Sequence, residues 1–271
     1  EGSGTGCVLS YDSLVAHGRE LGMPAGKVRG LAREYLQVLV LKALYDVDAA
    51  AGLVFLGGTA LRLGHGLPRF SEDLDFDARR LSFREWRSII EGAAHALSRV
   101  GLAAEVRVSE KGTLLSGDLR FKGVLQAYRL AGTPGEKLRV KVEANRPRYP
   151  LDVQPRVIAR FGEMVPAPFA ASGLACAEKI LALLNRELGR DVYDLFFMAG
   201  RKWKPDGRVL KAGGVGEPAR VAIVKRVASW GAVRLARMAR QLEPFLFEPD
   251  QSRLVARAPE LLPSVLEYLE P

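Results

Sequence analysis

Two hydrophobic periods alternate along the chain. Residues 10–22 and 24–46 carry apolar side chains at helical spacing, including Val28, Leu31, Tyr35, Val38 and Leu39, so two helices are expected to open the fold. Leu53-Val54-Phe55-Leu56 is a short, wholly apolar run stopped by Gly57-Gly58, the pattern of a buried strand. Residues 59–66 fit two helical turns. Asp73-Leu74-Asp75-Phe76-Asp77 then alternates polar with apolar, predicting a half-buried strand whose carboxylates share one face. Ser82-Phe83-Arg84-Glu85 matches a capping box and predicts a helix to about Arg99, with Trp86, Ile89, Ile90, Ala93 and Leu97 inward. Strand-like stretches follow at 103–108, 119–129 and 137–145, the last alternating Leu138, Val140 and Val142 with Arg139, Lys141 and Glu143.

Helices, strand, helix, strand, helix and a meander make an α+β lobe on a mixed sheet. The stretch from Pro147 to Pro168, with Pro150, Pro155 and Pro166 between, predicts a lobe boundary. Beyond it the pattern is helical over 172–188, 191–199, 218–230, 232–247 and 259–269, with Ala212 to Gly216 as a loop. The expected division is a flexible remnant at 1–9 without a signal-peptide pattern, an α+β lobe at 10–150 and a mainly helical lobe at 151–271.

Composition narrows the function. The 271 residues are 48% hydrophobic, enough for a sizeable core, which excludes disorder. Cys7 and Cys176 supply neither a disulfide framework nor a four-ligand zinc site, and His17, His65 and His95 share no ligand spacing. The longest apolar run, residues 35–42, is interrupted by Gln37 and Lys42 and falls far short of the ~18 residues of a membrane span. A reducing, cytoplasmic setting with no membrane contact is the expectation. Lys and Arg exceed Asp and Glu by 40 to 31, a net +9 that attracts polyanions. Arg234, Arg237 and Arg240, after Arg220, Lys225 and Arg226, form a basic stripe fit either to track an RNA backbone or to serve as an ordinary solvated face.

The chemistry concentrates where the glycine turn and the acidic strand meet. A strand ending in Gly-Gly at a helix start lets a phosphate chain approach bare backbone N–H groups, where the helix dipole also favours negative charge. Asp73 and Asp75 project to one face, close enough to share divalent cations, and hard carboxylates beside a phosphate cradle suit Mg²⁺. Two such ions polarise a transferring phosphoryl group and activate the attacking hydroxyl. Asp77 belongs to the strand exit.

Gly57-Gly58-Thr59-Ala60-Leu61 together with Arg69-Phe70-Ser71-Glu72-Asp73-Leu74-Asp75-Phe76 resembles the first motif of the AbiEii/MenT-type nucleotidyltransferase toxins, of the DNA polymerase β-like superfamily. The resemblance extends to Lys141-Val142-Glu143-Ala144-Asn145, where that family carries a third carboxylate. It reaches a lysine helix, Ala177-Glu178-Lys179-Ile180-Leu181, and the motif Gly189-Arg190-Asp191-Val192-Tyr193-Asp194-Leu195. Residues ~30 to 250 are spanned in order, although Gly58-Thr59 replaces the Gly-Ser of the broad superfamily.

This resemblance implies a two-lobed polymerase β-like fold and Mg²⁺-dependent transfer of a nucleoside monophosphate from an NTP to a hydroxyl. The implied acceptor is the tRNA 3′ end, in a toxin–antitoxin or phage-defence setting with a cognate antitoxin. Asp73 and Asp75 are the expected metal ligands. Glu143 orients or deprotonates the hydroxyl, or else pairs with Lys141 or Arg139. Lys179 is expected at the β/γ-phosphates, with Arg186 two turns along the same face. Asp191 and Asp194 divide between a helix N-cap and positioning the site. Gly57, Gly58, Thr59 and Ser71 are expected around the nucleotide. Arg69 either clamps a phosphate or pairs with Glu72 or Asp77. Two rivals are nucleotidylation of a protein Tyr, Ser or Thr, and a non-catalytic RNA- or antitoxin-binding module.

Overall fold

Ser10 starts the first helix by accepting a hydrogen bond from the Ser13 N–H at 3.1 Å, and α1 runs Tyr11–Glu20. The structure, a computed structural model, describes residues 9–269. The remnant expected at 1–9 lies outside the described residues except for Leu9, whose carbonyl accepts from the Tyr128 hydroxyl at 3.0 Å. Helix α2, Val28–Tyr45, buries most of its length and leads to β1, Val54–Leu56, apolar and fully buried as its run of Val, Phe and Leu requires. Then come α3, Gly57–His65, β2, Asp73–Asp77, and α4, Phe83–Arg99, the last opened by the Ser82/Glu85 capping box.

The meander is β3, Ala104–Lys111, β4, Leu114–Phe121, and β5, Leu138–Asn145, with the short helix α5, Val124–Ala127, before β5. The strand expected to reach residue 129 stops at Phe121, because Gly123 takes a left-handed φ of +80° that turns the chain into α5. Two more strands follow, β6, Val153–Arg160, and β7, Glu163–Ala170.

Those last strands correct the proline boundary. Pro155, Pro166 and Pro168 lie within β6 and β7, which join a seven-stranded sheet of order β3-β4-β5-β2-β1-β7-β6. Proline is tolerated because β6 is the edge strand and β7 meets β1 at the Phe55–Phe169 position, so little ladder is interrupted. Val165, Ala167 and Phe169 still alternate into the core between the prolines.

The described chain divides into two units and crosses between them five times, and the expected division after residue 150 falls inside the segment Arg148–Gln154. One holds the chain through Gly64 with Phe70–Pro147 and Pro155–Phe169. In it α2 and α4 pack on one face of the meander, where Leu115, Leu119, Phe121, Val140 and Val142 are buried. The other takes His65–Arg69, Arg148–Gln154 and the described chain from Ala170. That unit is helical: α6, Ser172–Asn185, α7, Gly189–Ala199, α8, Gly207–Ala212, α9, Ala219–Ala228, α10, Ala232–Leu242, α11, Arg253–Ala256, and α12, Ala258–Val265. Among the described residues no helix is long and apolar enough to cross a membrane.

Candidate active site

The acidic strand is fixed on both sides by its ladder. β2 runs antiparallel to β1, setting Asp75 opposite Leu56, and parallel to β5, setting Asp73 beside Lys141 and Asp75 beside Glu143. Leu74 and Phe76 point into the core, which leaves Asp73 and Asp75 half-buried on the opposite face. Asp77 is buried at the strand's end, next to Val54 and Asn145 in register.

Gly57 closes the turn from β1 into α3 with φ +77°, a conformation that side chains other than glycine adopt only with strain. Space demands glycine there too, because a Cβ on Gly57 would collide with the Asp75 carboxylate and lie 2.9 Å from the Asp75 Cβ. The side chain of Asp75 therefore lies over the bare backbone at the start of α3, joining the two features that the sequence sets 18 positions apart.

Around this turn the chain is pinned. The Thr59 side chain is buried and its hydroxyl donates to the Asp73 carbonyl at 2.5 Å. That bond ties the start of α3 to β2. Gln37, fully buried on α2, donates to the carbonyls of Ser71 and Glu72 at 3.1 and 2.9 Å and fixes the approach to β2. Arg33 pairs with Glu72 at 2.9 Å. A buried Arg62–Glu34 pair at 3.0 Å holds α3 to α2. Gln37 was visible in the sequence as a polar interruption of an apolar run; nothing local pointed to Glu34 or Arg62.

The donor set fits a hard divalent cation: Asp73 and Asp75 offer carboxylate oxygens on one face, over a turn kept free of side chain by Gly57. Glu143 is the adjacent carboxylate in register, but it pairs with Lys141 at 2.6 Å, one of the two alternatives read from the sequence. Among the described residues no three His, Cys, Asp or Glu side chains close into a finished cage.

The remaining expected residues gather in the helical unit. Lys179 of α6 lies 3.1 Å from Asp191 and 2.9 Å from Asp194, both on α7. Arg69 grips Asp194 with two hydrogen bonds, Nε to Oδ1 at 2.7 Å and Nη2 to Oδ2 at 2.6 Å. Arg186 grips Asp191 in the same manner, at 2.7 and 2.9 Å. Arg69, Lys179, Asp191 and Asp194 are buried, and Arg186 alone of the five is well exposed, its side chain 46% accessible. Burial alone would raise the pKa values of both aspartates, but the adjoining Arg and Lys charges more than reverse this and hold them below the ordinary carboxylate value. Three cations against two carboxylates leave the cluster one positive charge in excess.

Two expectations change here. Arg69 is held bidentately by Asp194, a partner 125 residues away that neither local reading named. Asp191 is not an N-cap: that position of α7 is Leu188, without a side-chain cap, and Asp191 sits in the first turn, where the helix dipole favours its charge. His65 stacks edge-on against Trp203 at 4.7 Å, a packing role. Arg234 of the basic stripe pairs with Glu187 at 2.9 Å, while Arg237 and Arg240 are exposed on α10.

Beside Lys179, Glu178 is mostly buried with its Oε1 lacking a hydrogen-bond partner. Burial pushes its pKa up to about 7, against the opposing charge of Lys179. A carboxyl raised in the folded state is favoured when protonated, so its contribution is present at acid pH and lost as pH rises from the unfolded value through 7. Glu178→Gln is therefore expected to stabilise the protein at pH 8 by about 2–3 kcal/mol and far less at pH 5, read as the shift in urea midpoint. An equal gain at both pH values would remove ionisation as the cause.

An acidic strand beside a strand–Gly-Gly–helix turn in a mixed sheet defines the nucleotidyltransferase class, and solved structures with that fold align with this one. MenT4, a nucleotidyltransferase toxin from Mycobacterium tuberculosis H37Rv, aligns at TM-score 0.58 and 21% identity over 97% of this chain and 90% of its own. JHP933 from Helicobacter pylori aligns at 0.52 and 20%, over 88% of this chain and 93% of its own. No curated protein matches. The chain belongs to the nucleotidyl transferase AbiEii toxin family of type IV toxin–antitoxin systems, which matches it over residues 39–245. It is thus a nucleotidyltransferase with the α+β plan read from its sequence.

Proposed function

We propose that this protein transfers a nucleoside monophosphate from an NTP to the 3′-terminal hydroxyl of tRNA in an Mg²⁺-dependent reaction, as the toxin of a toxin–antitoxin pair with a cognate antitoxin. The observation that carries the reading is Asp75 lying over Gly57 at the start of α3, with Asp73 on the same face. Asp73 and Asp75 hold the metal. When bound there, Mg²⁺ supplies positive charge to the phosphates and lowers the pKa of the attacking hydroxyl.

The first N–H groups of α3, at Gly57 and Gly58, lack partners within the helix and present the positive end of its dipole to the triphosphate. Glu143 takes the hydroxyl proton, and its ion pair with Lys141 directs the carboxylate until substrate arrives. The acceptor oxygen bonds to the α-phosphorus, the bond from that phosphorus to the bridging oxygen breaks, and pyrophosphate leaves. Ser71 acts through its backbone, holding the approach to β2 through Gln37. Lys179, Asp191 and Asp194 are positioning residues, and Arg186, the exposed member of that cluster, is the one of its cations open to a phosphate.

The test is to incubate the full chain with each α-labelled NTP, Mg²⁺ and total tRNA and to separate RNA from protein. Label on RNA that disappears with chelator is expected. Label only on protein transfers the reading to a Tyr, Ser or Thr acceptor, and no label with any NTP overturns it.

A further inference from the structure

One face of the meander is covered by α2 and α4; the other carries an ordered set of charges that nucleotide transfer as such does not use. The ladders place them. Arg107 of β3 stands opposite Asp118 of β4, and Asp118 stands opposite Lys141 of β5, which in turn neighbours Asp73. Two acids of this face, Asp118 and Glu105, are each held by two bases, and Glu143 pairs with Lys141. Asp118 receives Arg120 at 2.8 Å and Arg139 at 2.8 Å, and Glu105 receives Lys122 at 2.7 Å and Lys137 at 2.6 Å. With Arg107, six cations meet three anions, a surplus of three positive charges. Arg107 is exposed, and the side chain of Arg139 is 51% accessible.

We propose that the open face of β5, β4 and β3 is the docking surface for the phosphodiester backbone of the RNA acceptor, which rests on the reading of the protein as an RNA transferase. The surplus charge begins at the strand next to the metal-binding carboxylates and extends over two strand spacings, about 10 Å, toward the β3 edge. Long side chains that already share acids exchange a carboxylate for a phosphate with little change in geometry, and such contacts position a polyanion without reading its sequence. The stripe on α10 belongs to the other unit.

The experiment measures binding of unfractionated tRNA without NTP, over a range of salt, alongside the labelling assay. Arg107→Glu/Arg139→Glu is expected to weaken binding at least tenfold and to reduce the slope of log affinity against log salt by about 1 per arginine. Asp118→Asn, which removes an anion from the same face, is expected to tighten binding several-fold; a loss of fold would weaken it instead. Arg237→Glu/Arg240→Glu carries the same charge change and is expected to have a smaller effect. Unchanged binding in the Arg107/Arg139 variant, weaker binding in Asp118→Asn, or a dominant effect of the α10 pair would each overturn the proposal. If wild type binds RNA through this face but labels none, the surface stands and the transfer reading falls. If it labels RNA with the same KM in the Arg107/Arg139 variant, the reverse holds.

Discussion

Asp73→Asn and Asp75→Asn are each expected to reduce nucleotide transfer by about 10² to 10³-fold or more while leaving the protein as stable as before, or slightly more so. Two effects pull in opposite directions at these positions. Activity falls because a carboxylate that binds a cation is replaced by an amide with one neutral acceptor oxygen. Stability does not fall because both side chains are half-exposed and carry like charge on one strand face, so neutralising either relieves repulsion. The measurement is initial transfer rate beside thermal midpoint, for each variant. A midpoint that drops together with the rate would make the acidic strand a structural feature and remove the metal-binding role.

The second large effect runs the other way. Asp194→Ala is expected to destabilise the protein by about 3–5 kcal/mol, because it leaves Arg69 and Lys179 charged and buried without their shared partner. Replacing all three together, Arg69→Met, Lys179→Met and Asp194→Leu, removes the stranded charges and should recover a good part of that loss, while Asp191 keeps Arg186. Urea denaturation of the full chain distinguishes the two. The acid side follows from the same charges. Both aspartates are held below the ordinary carboxylate value, so the stability they contribute is complete above their unfolded pKa of about 3.8 and is lost only as pH falls through their lower folded values. Loss of cooperativity already near pH 5 would place the cause outside this cluster.

The acidic strand and the following helix were legible to the residue, since alternation of Asp with Leu and Phe, and a Ser-x-x-Glu box, are local signals. The glycine turn was legible for the same reason. The sheet's far side was not. Prolines 155, 166 and 168 argue locally against strands, and only the edge position of β6 and the single bridge between β7 and β1 make them tolerable. In the site, the two carboxylates and their glycine could be read because they lie close in sequence and the pleat settles their direction. The link from Arg69 to Asp194 could not, because an ion pair spanning 125 residues leaves no periodicity in either segment. The burial of Lys179 was partly legible, as its helix is otherwise apolar, yet its neutralisation by two aspartates required the packing of α6 against α7.

The order of strands also sets a schedule for synthesis. β1 pairs on one side with β2, complete by residue 77, but its other neighbour, β7, begins only at residue 163. At about 5–20 residues per second, the nascent chain carries β1 as a bare, wholly apolar sheet edge for roughly 5–20 s before β7 emerges to cover it. The strand that leads into the glycine turn is thus the last part of the sheet's centre to be sealed. A transferase harmful to its own cell thereby stays without a finished site until more than half of the chain has left the ribosome.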